Sequence, residues 1–166
     1  MDISERALAQ CPAHIVTKKV DILQSGEAAN SFDIIICPLF LHHVHEVGFK
    51  PFLQEYYRLL RGGVLVIQEP GALFPPSWVA SFLRTFMGNV TGLLEGEKLI
   101  YPPSLTRNLK EVGFVRIRYR GLSFSHVRFP VFLQAISLLL DWPWRILPPF
   151  NLFSNGIGWY CEKPML

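Results

Sequence analysis

A chain of 166 residues, half of them hydrophobic and only 17% charged, suffices for one domain with a real core and is too short for two comfortable ones. The net charge of +3 is mild, and Cys11, Cys37 and Cys161, far apart and without a C-x-x-C pair, show neither disulfide nor zinc spacing and point to a reducing compartment. No basic-then-apolar leader opens the sequence, and the longest apolar stretch, Val131 to Leu140, falls short of the roughly 18 residues of a membrane span, so the expectation is a cytoplasmic chain that does not cross a membrane.

Met1 to Ala9 opens with Asp2 or Ser4 as a helix N-cap, Glu5 in the first turn, and Ala7 and Leu8 as helix formers. Ile15 to Ile22 (IVTKKVDI) reads as a strand ending at Asp21, and the polar, small residues Leu23 to Ser31 as a surface loop. Phe32 to Cys37, an isoleucine-rich run bounded by Asp33 and Pro38, has the pattern of a strand buried on both faces. A loop, Cys37-Pro-Leu-Phe-Leu-His-His-Val-His, follows it. From Phe49 the apolar residues recur as Phe52, Leu53, Tyr56, Leu59 and Leu60, one face of a helix that Gly62 and Gly63 close. Val64 to Ile67 resumes a buried strand, so the unit is β-α-β, the signature of a parallel sheet covered by helices.

Phe74-Pro-Pro-Ser starts another helix, whose wide apolar stripe, from Trp78 and Val79 through Phe82 to Val90, suits packing on the sheet. Ser104 caps a further helix with Leu105, Leu109 and Val112, ended by Gly113. Phe114 to Gly121 (FVRIRYRG) alternates Val115, Ile117 and Tyr119 with Arg116, Arg118 and Arg120, a strand with one buried and one basic face. Between Leu105 and Pro130 six basic residues stand against Glu111 alone, a local net charge of +5. The basic face either protects an edge strand from pairing or meets an anionic substrate or membrane surface. Nucleic acid is not expected, because the aromatic residues lie on the other face instead of interleaving for stacking. Phe129 to Leu140 is apolar nearly all round and runs into Asp141-Trp-Pro-Trp-Arg, so residues 129–145 suit peripheral membrane contact or a lipid-acceptor pocket. Ile157 to Lys163 reads as the last strand, antiparallel beside the basic one. No repeat or linker marks a second domain, and 1–166 reads as one unit.

Taken in order, Phe32-Asp33 with its apolar run, Leu41-His42-His43-Val44, Arg58-Leu-Leu-Arg-Gly-Gly63 and the strand ending in Glu69-Pro70 resemble the class I S-adenosylmethionine-dependent methyltransferases, in particular the small-molecule and lipid enzymes related to those of ubiquinone and menaquinone. The resemblance implies an α/β, Rossmann-like, mostly parallel sheet with an antiparallel C-terminal strand. The family's first strand, Gly-rich loop and first helix would precede Met1, and no G-x-G-x-x-G occurs, so an N-terminally truncated, partial domain is expected. By position in the family pattern, Asp2 and Ile3 match the acidic residue that takes the cofactor's ribose hydroxyls and its neighbour. Asp21 and Ile22 match the residues at the adenine, and Cys37, Pro38 and Leu39 the strand end lining the cofactor.

The same resemblance places His42 or His43 near the reacting methyl group or the acceptor as a general base, and Glu69 where it could orient the acceptor or take its proton. Read from the residues alone, Asp2 is equally a helix cap, Asp21 a solvated turn acid, the histidines packing groups and Glu69 a loop-capping carboxylate. His42, His43, His45 and Glu46 are not expected to bind metal, since H-H-x-H in a loop lacks the i, i+4 spacing that aims two imidazoles at one ion. The implied reaction is methyl transfer from S-adenosylmethionine to a small, hydrophobic or lipid-like acceptor. The alternative is a non-catalytic module that binds a protein or membrane surface.

Overall fold

The apolar runs become four strands in the computed structural model, which describes residues 1–44, 46–78, 82, 99–124 and 130–165. They are β1 (Phe32–Pro38), β2 (Leu60–Pro70), β3 (Val115–Ser123) and β4 (Gly156–Glu162), joined in one sheet of order β1-β2-β4-β3. β1 runs parallel to β2, and β4 runs antiparallel to both β2 and β3. Three strands therefore point one way and β4 alone opposes them, the mostly parallel sheet with an antiparallel C-terminal strand that the sequence predicts. β3, the basic strand, lies at the edge beside β4, again as expected.

Helices α1 (Glu5–Ala9), α2 (Lys50–Leu59), α3 (Pro102–Val112) and α4 (Val131–Ile146) accompany the sheet among the described residues. In α2 the buried side chains are Phe52, Leu53, Tyr56 and Leu59, and in α3 Leu105 and Leu109, the stripes their periodicity predicts. These close over Leu65, Ile67, Trp159 and Cys161 on one face of the sheet. Burying each such Leu or Ile stabilises the fold by roughly 1.5–3 kcal/mol. Trp159 Nε1 donates to Thr106 Oγ1 at 3.2 Å, so the core's largest ring also fixes α3 against β4. Ser4 is the cap of α1, its Oγ accepting from the Ala7 amide at 3.2 Å. Lys163 closes the far end: its buried ammonium donates to the Leu60 carbonyl at 2.7 Å and Asn30 Oδ1 at 2.9 Å, at the carbonyl end of α2 where positive charge is favoured.

Several expectations are corrected. β1 is not buried on both faces: Ile34 and Ile36 are 61% and 69% exposed, because α2 and α3 cover only the opposite side of the sheet. Ile15 to Ile22 is not a strand. Among the described residues Lys19 alone pairs, in an isolated parallel bridge to Asp2, and Val16 is exposed. Gly62 and Gly63 do not close α2, which ends at Leu59; they lie inside β2. The requirement there is close approach, because a Cβ on Gly63 would collide with the Asp33 carbonyl where the β1–β2 register shifts. The N-cap of α3 is Tyr101, with Pro102 in the first turn, and not Ser104; Gly113 does end it, left-handed at φ 112°. Of the expected stripe after Phe74, residues 75–78 and Phe82 are helical, and the remainder lies outside the described residues. No described helix is long and apolar enough to cross a membrane.

Candidate functional site

Parallel pairing sets Cys37 opposite Ile67 and Pro38 opposite Gln68, so the carboxyl ends of β1 and β2 open side by side at Leu39 and Glu69. Leu39 holds φ 52°, in the left-handed region, and its amide donates to the Gln68 carbonyl at 2.7 Å. A branched residue there costs about 1–2 kcal/mol, and strain of this kind gathers where a fold must aim a loop. Here it turns the chain off the sheet into a short 3-10 turn, Leu41–His43.

The turn's N-terminus has no side-chain cap of its own, as Phe40 cannot supply one. Glu69 supplies it from 28 residues away. Alternation along β2 puts Leu65, Ile67 and Glu69 on the core side, so the carboxylate is fully buried and needs donors. Its Oε1 accepts from the Phe40 and Leu41 amides at 2.9 and 2.6 Å, and its Oε2 meets His42 Nδ1 at 2.7 Å. A carboxylate accepts, so the proton of that bond sits on Nδ1, and in the neutral ring Nε2 keeps its lone pair. The His42 side chain is 9% exposed, and its ring stacks on exposed His43 with centroids 3.9 Å apart. Phe40 packs edge-on against Phe52, tying the loop to α2.

Cys37 Sγ lies 3.3 Å from Tyr56 Oη in the core. Burial is the main cause that pushes its pKa from 9.0 up to about 12, so the thiol stays protonated and is no nucleophile at neutral pH. Pro38 and Leu39 are exposed beyond it. Asp2, Ile3, Asp21 and Ile22 belong to a second group. The Asp2–Lys19 bridge is parallel, with the Val20 amide donating to the Asp2 carbonyl at 3.1 Å, so Ile3 and Asp21 follow at neighbouring ends of two extended segments. Asp2 Oδ1 accepts from the Ser4 amide at 2.7 Å and Asp21 Oδ1 from Leu23 at 2.9 Å; both residues are exposed. Ile22 packs partly on the core.

The structure thus joins His42 and Glu69, sets His43 beside them, and brings Asp2 and Asp21 to adjacent chain ends. Sequence reasoning missed the Phe40 and Leu41 amides and the Tyr56 hydroxyl. The amides carry no residue signature, and Tyr56 reads only as one more member of the apolar stripe. Among the described residues no three His, Cys, Asp or Glu side chains are placed to hold a metal ion, and His45 lies outside them.

A family model described as a methyltransferase domain matches residues 1–67, a span that ends inside β2. A search of curated proteins found no match. Among solved structures, an S-adenosylmethionine-dependent methyltransferase from Archaeoglobus fulgidus superposes with a TM-score of 0.65 at 13% identity, covering 97% of this chain and 73% of that one. The fold is the methyltransferase fold. An S-adenosylmethionine-dependent methyltransferase from Thermotoga maritima shares it at TM-score 0.58 and 13% identity, over 86% of this chain and 61% of its own. So does the [4+2]-cyclase SpnF, at TM-score 0.52 and 19% identity, over 90% and 57%. The chain therefore spans between about half and three quarters of these neighbours. The cyclase also shows that the methyltransferase fold does not by itself fix the reaction, which has to be argued from the site.

Proposed function

We propose that the chain carries out methyl transfer from S-adenosylmethionine to a small, hydrophobic or lipid-like acceptor, with His42 as general base and Glu69 as the group that positions it. The observation behind this reading is the buried Glu69–His42 pair at the paired carboxyl ends of β1 and β2, where ligands of doubly wound sheets bind. The methyltransferase match over 1–67 and the fold supply the donor class. The residues present fit the nucleoside half of such a cofactor. Asp2 and Asp21 are exposed acids at adjacent chain ends, suited to ribose hydroxyls and an amino group, and Ile22 beside them offers an apolar contact.

Bound S-adenosylmethionine supplies an electrophilic methyl group on a sulfonium. Transfer of that methyl to the acceptor's lone pair would break the sulfur–methyl bond and release S-adenosylhomocysteine, and the residue that would take the acceptor's O–H or N–H proton is His42, at Nε2. Glu69, already holding the Nδ1 proton, steadies the imidazolium that results, and no further proton leaves the pair. The 3-10 turn, fixed by the strained Leu39 and the two capped amides, keeps the ring from rotating, so most of the contribution is positioning. An acceptor of apolar character agrees with a sequence that is 50% hydrophobic.

Calorimetry of the chain with S-adenosylmethionine, followed by transfer of labelled methyl to a lipid extract, tests this. His42→Asn should retain binding and lose transfer by about 10²–10⁴-fold, the usual span for a general base. Absence of cofactor binding in the unaltered chain removes the reading.

A further inference from the structure

We propose that α4 lies on a lipid surface, its outward apolar stripe entering the acyl boundary of an anionic membrane. The helix is inside out. Its polar residues Gln134, Ser137 and Asp141, at i, i+3 and i+7, form the least exposed face, with Asp141 buried. Asp141 Oδ1 accepts from the Phe124 amide at 2.6 Å and its Oδ2 from Ser123 Oγ at 3.3 Å, which pins this face to the end of β3. The opposite side presents Phe132, Ala135, Ile136 and Leu139, at i, i+3, i+4 and i+7. Phe132 is 64% and Leu139 81% exposed, and Val131 and Leu138 flank them, exposed as well. A helix on the surface of a water-surrounded domain shows the reverse pattern. Apolar residues outward and polar residues inward match a medium that is itself apolar.

Length and charge select the kind of contact. Sixteen residues rise about 24 Å, short of the roughly 30 Å hydrocarbon core, so the helix lies along the interface and does not span it. The last turn carries an exposed Arg145, a residue type that suits headgroup depth. The strand α4 packs against supplies positive charge. Arg116 pairs with Glu162 at 3.0 Å, whereas Arg118 and Arg120 are exposed and form no ion pair among the described residues. Each cation near an anionic leaflet adds attraction that salt screens. None of this depends on the reaction the site performs.

The test is flotation of the full chain with vesicles of phosphatidylcholine, alone or mixed with phosphatidylglycerol. The unaltered chain should float with the anionic vesicles, less so as salt rises. Phe132→Glu with Leu139→Glu should reduce the bound fraction at least about tenfold, while Ile36→Lys, on the far side of the sheet, should leave it unchanged. Circular dichroism checks that each variant is folded, and Leu139→Ser alone decides the matter if the double variant is not. No flotation of the unaltered chain, or equal flotation of the Glu variant in its folded form, overturns the proposal. So does a dimer in light scattering that the Glu variant splits while vesicles bind neither, since the stripe would then join two copies of the chain.

Discussion

A carboxylate at a core-facing strand position is costly unless its oxygens are satisfied, and Glu69 is satisfied by two amides and an imidazole. Glu69→Gln keeps the shape and loses the charge. Its amide NH2 would face His42 Nδ1, which must then accept, moving the ring proton to Nε2 and removing the base. Urea unfolding should show a loss of about 1–3 kcal/mol, and methyl transfer should fall with it; an unchanged midpoint would mean that the turn does not depend on this cap. The thiols give a second expectation. Burial holds the Cys37 and Cys161 thiols up at about 12, while Cys11 is exposed. One thiol per chain should therefore react rapidly with a disulfide reagent at pH 8, and three in denaturant. Above about pH 9 the unfolded chain sheds these protons and the folded chain keeps them. Stability is thus full below pH 9 and declines toward pH 12, by up to about 1.4 kcal/mol per pH unit for each thiol. A melting temperature flat between pH 8 and 10.5 would contradict this.

At the scale of elements, the parts legible in the sequence are those whose pattern is enforced locally. α2 and α3 follow from apolar residues three and four apart, β1 and β2 from short apolar runs and β3 from alternation, with ends displaced by a few residues. The failures share a cause. IVTKKVDI has strand chemistry, yet a strand exists only when another pairs along its length, and here Asp2 alone reaches Lys19. A Gly-Gly pair after a helix reads as a stop, but whether glycine serves a turn or a close approach depends on what lies across from it, and for Gly63 that is the Asp33 carbonyl. The site was half legible for the same reason. An acid at a strand end and histidines in the preceding loop are visible as candidates, whereas their 2.7 Å contact follows from the register of β1 on β2, which no local pattern states. Gly63→Ala puts a methyl against backbone that cannot move alone, so it should cost about 2–4 kcal/mol by urea unfolding. Gly26→Ala, with nothing within 4 Å, should cost only the strain of its positive φ.

For the molecule as a whole, helices α2 and α3 cover one side of the sheet, and the other presents Ile34, Ile36 and Tyr160 to solvent. Among the described residues β1 is also an edge strand, so an apolar side and unpaired backbone groups coincide on it, whereas the other edge, β3, carries arginines and shifts in register. Self-association and poor solubility are expected from β1. Ile34→Lys with Ile36→Lys should raise the monomer fraction in light scattering without lowering the melting temperature by more than a few degrees. A monodisperse, cooperatively melting monomer of the unaltered chain would show that this edge is harmless.

The strand order has a consequence in time. β4 follows β3 in the chain yet lies between β3 and β2 in the sheet. While the protein is being synthesised, β1 and β2 can pair as soon as they leave the ribosome, but β3 emerges with no partner and must wait some 30 residues for β4. Until then its arginines are what keep it in solution, and the sheet is completed in a single late step that depends on contacts far apart in sequence.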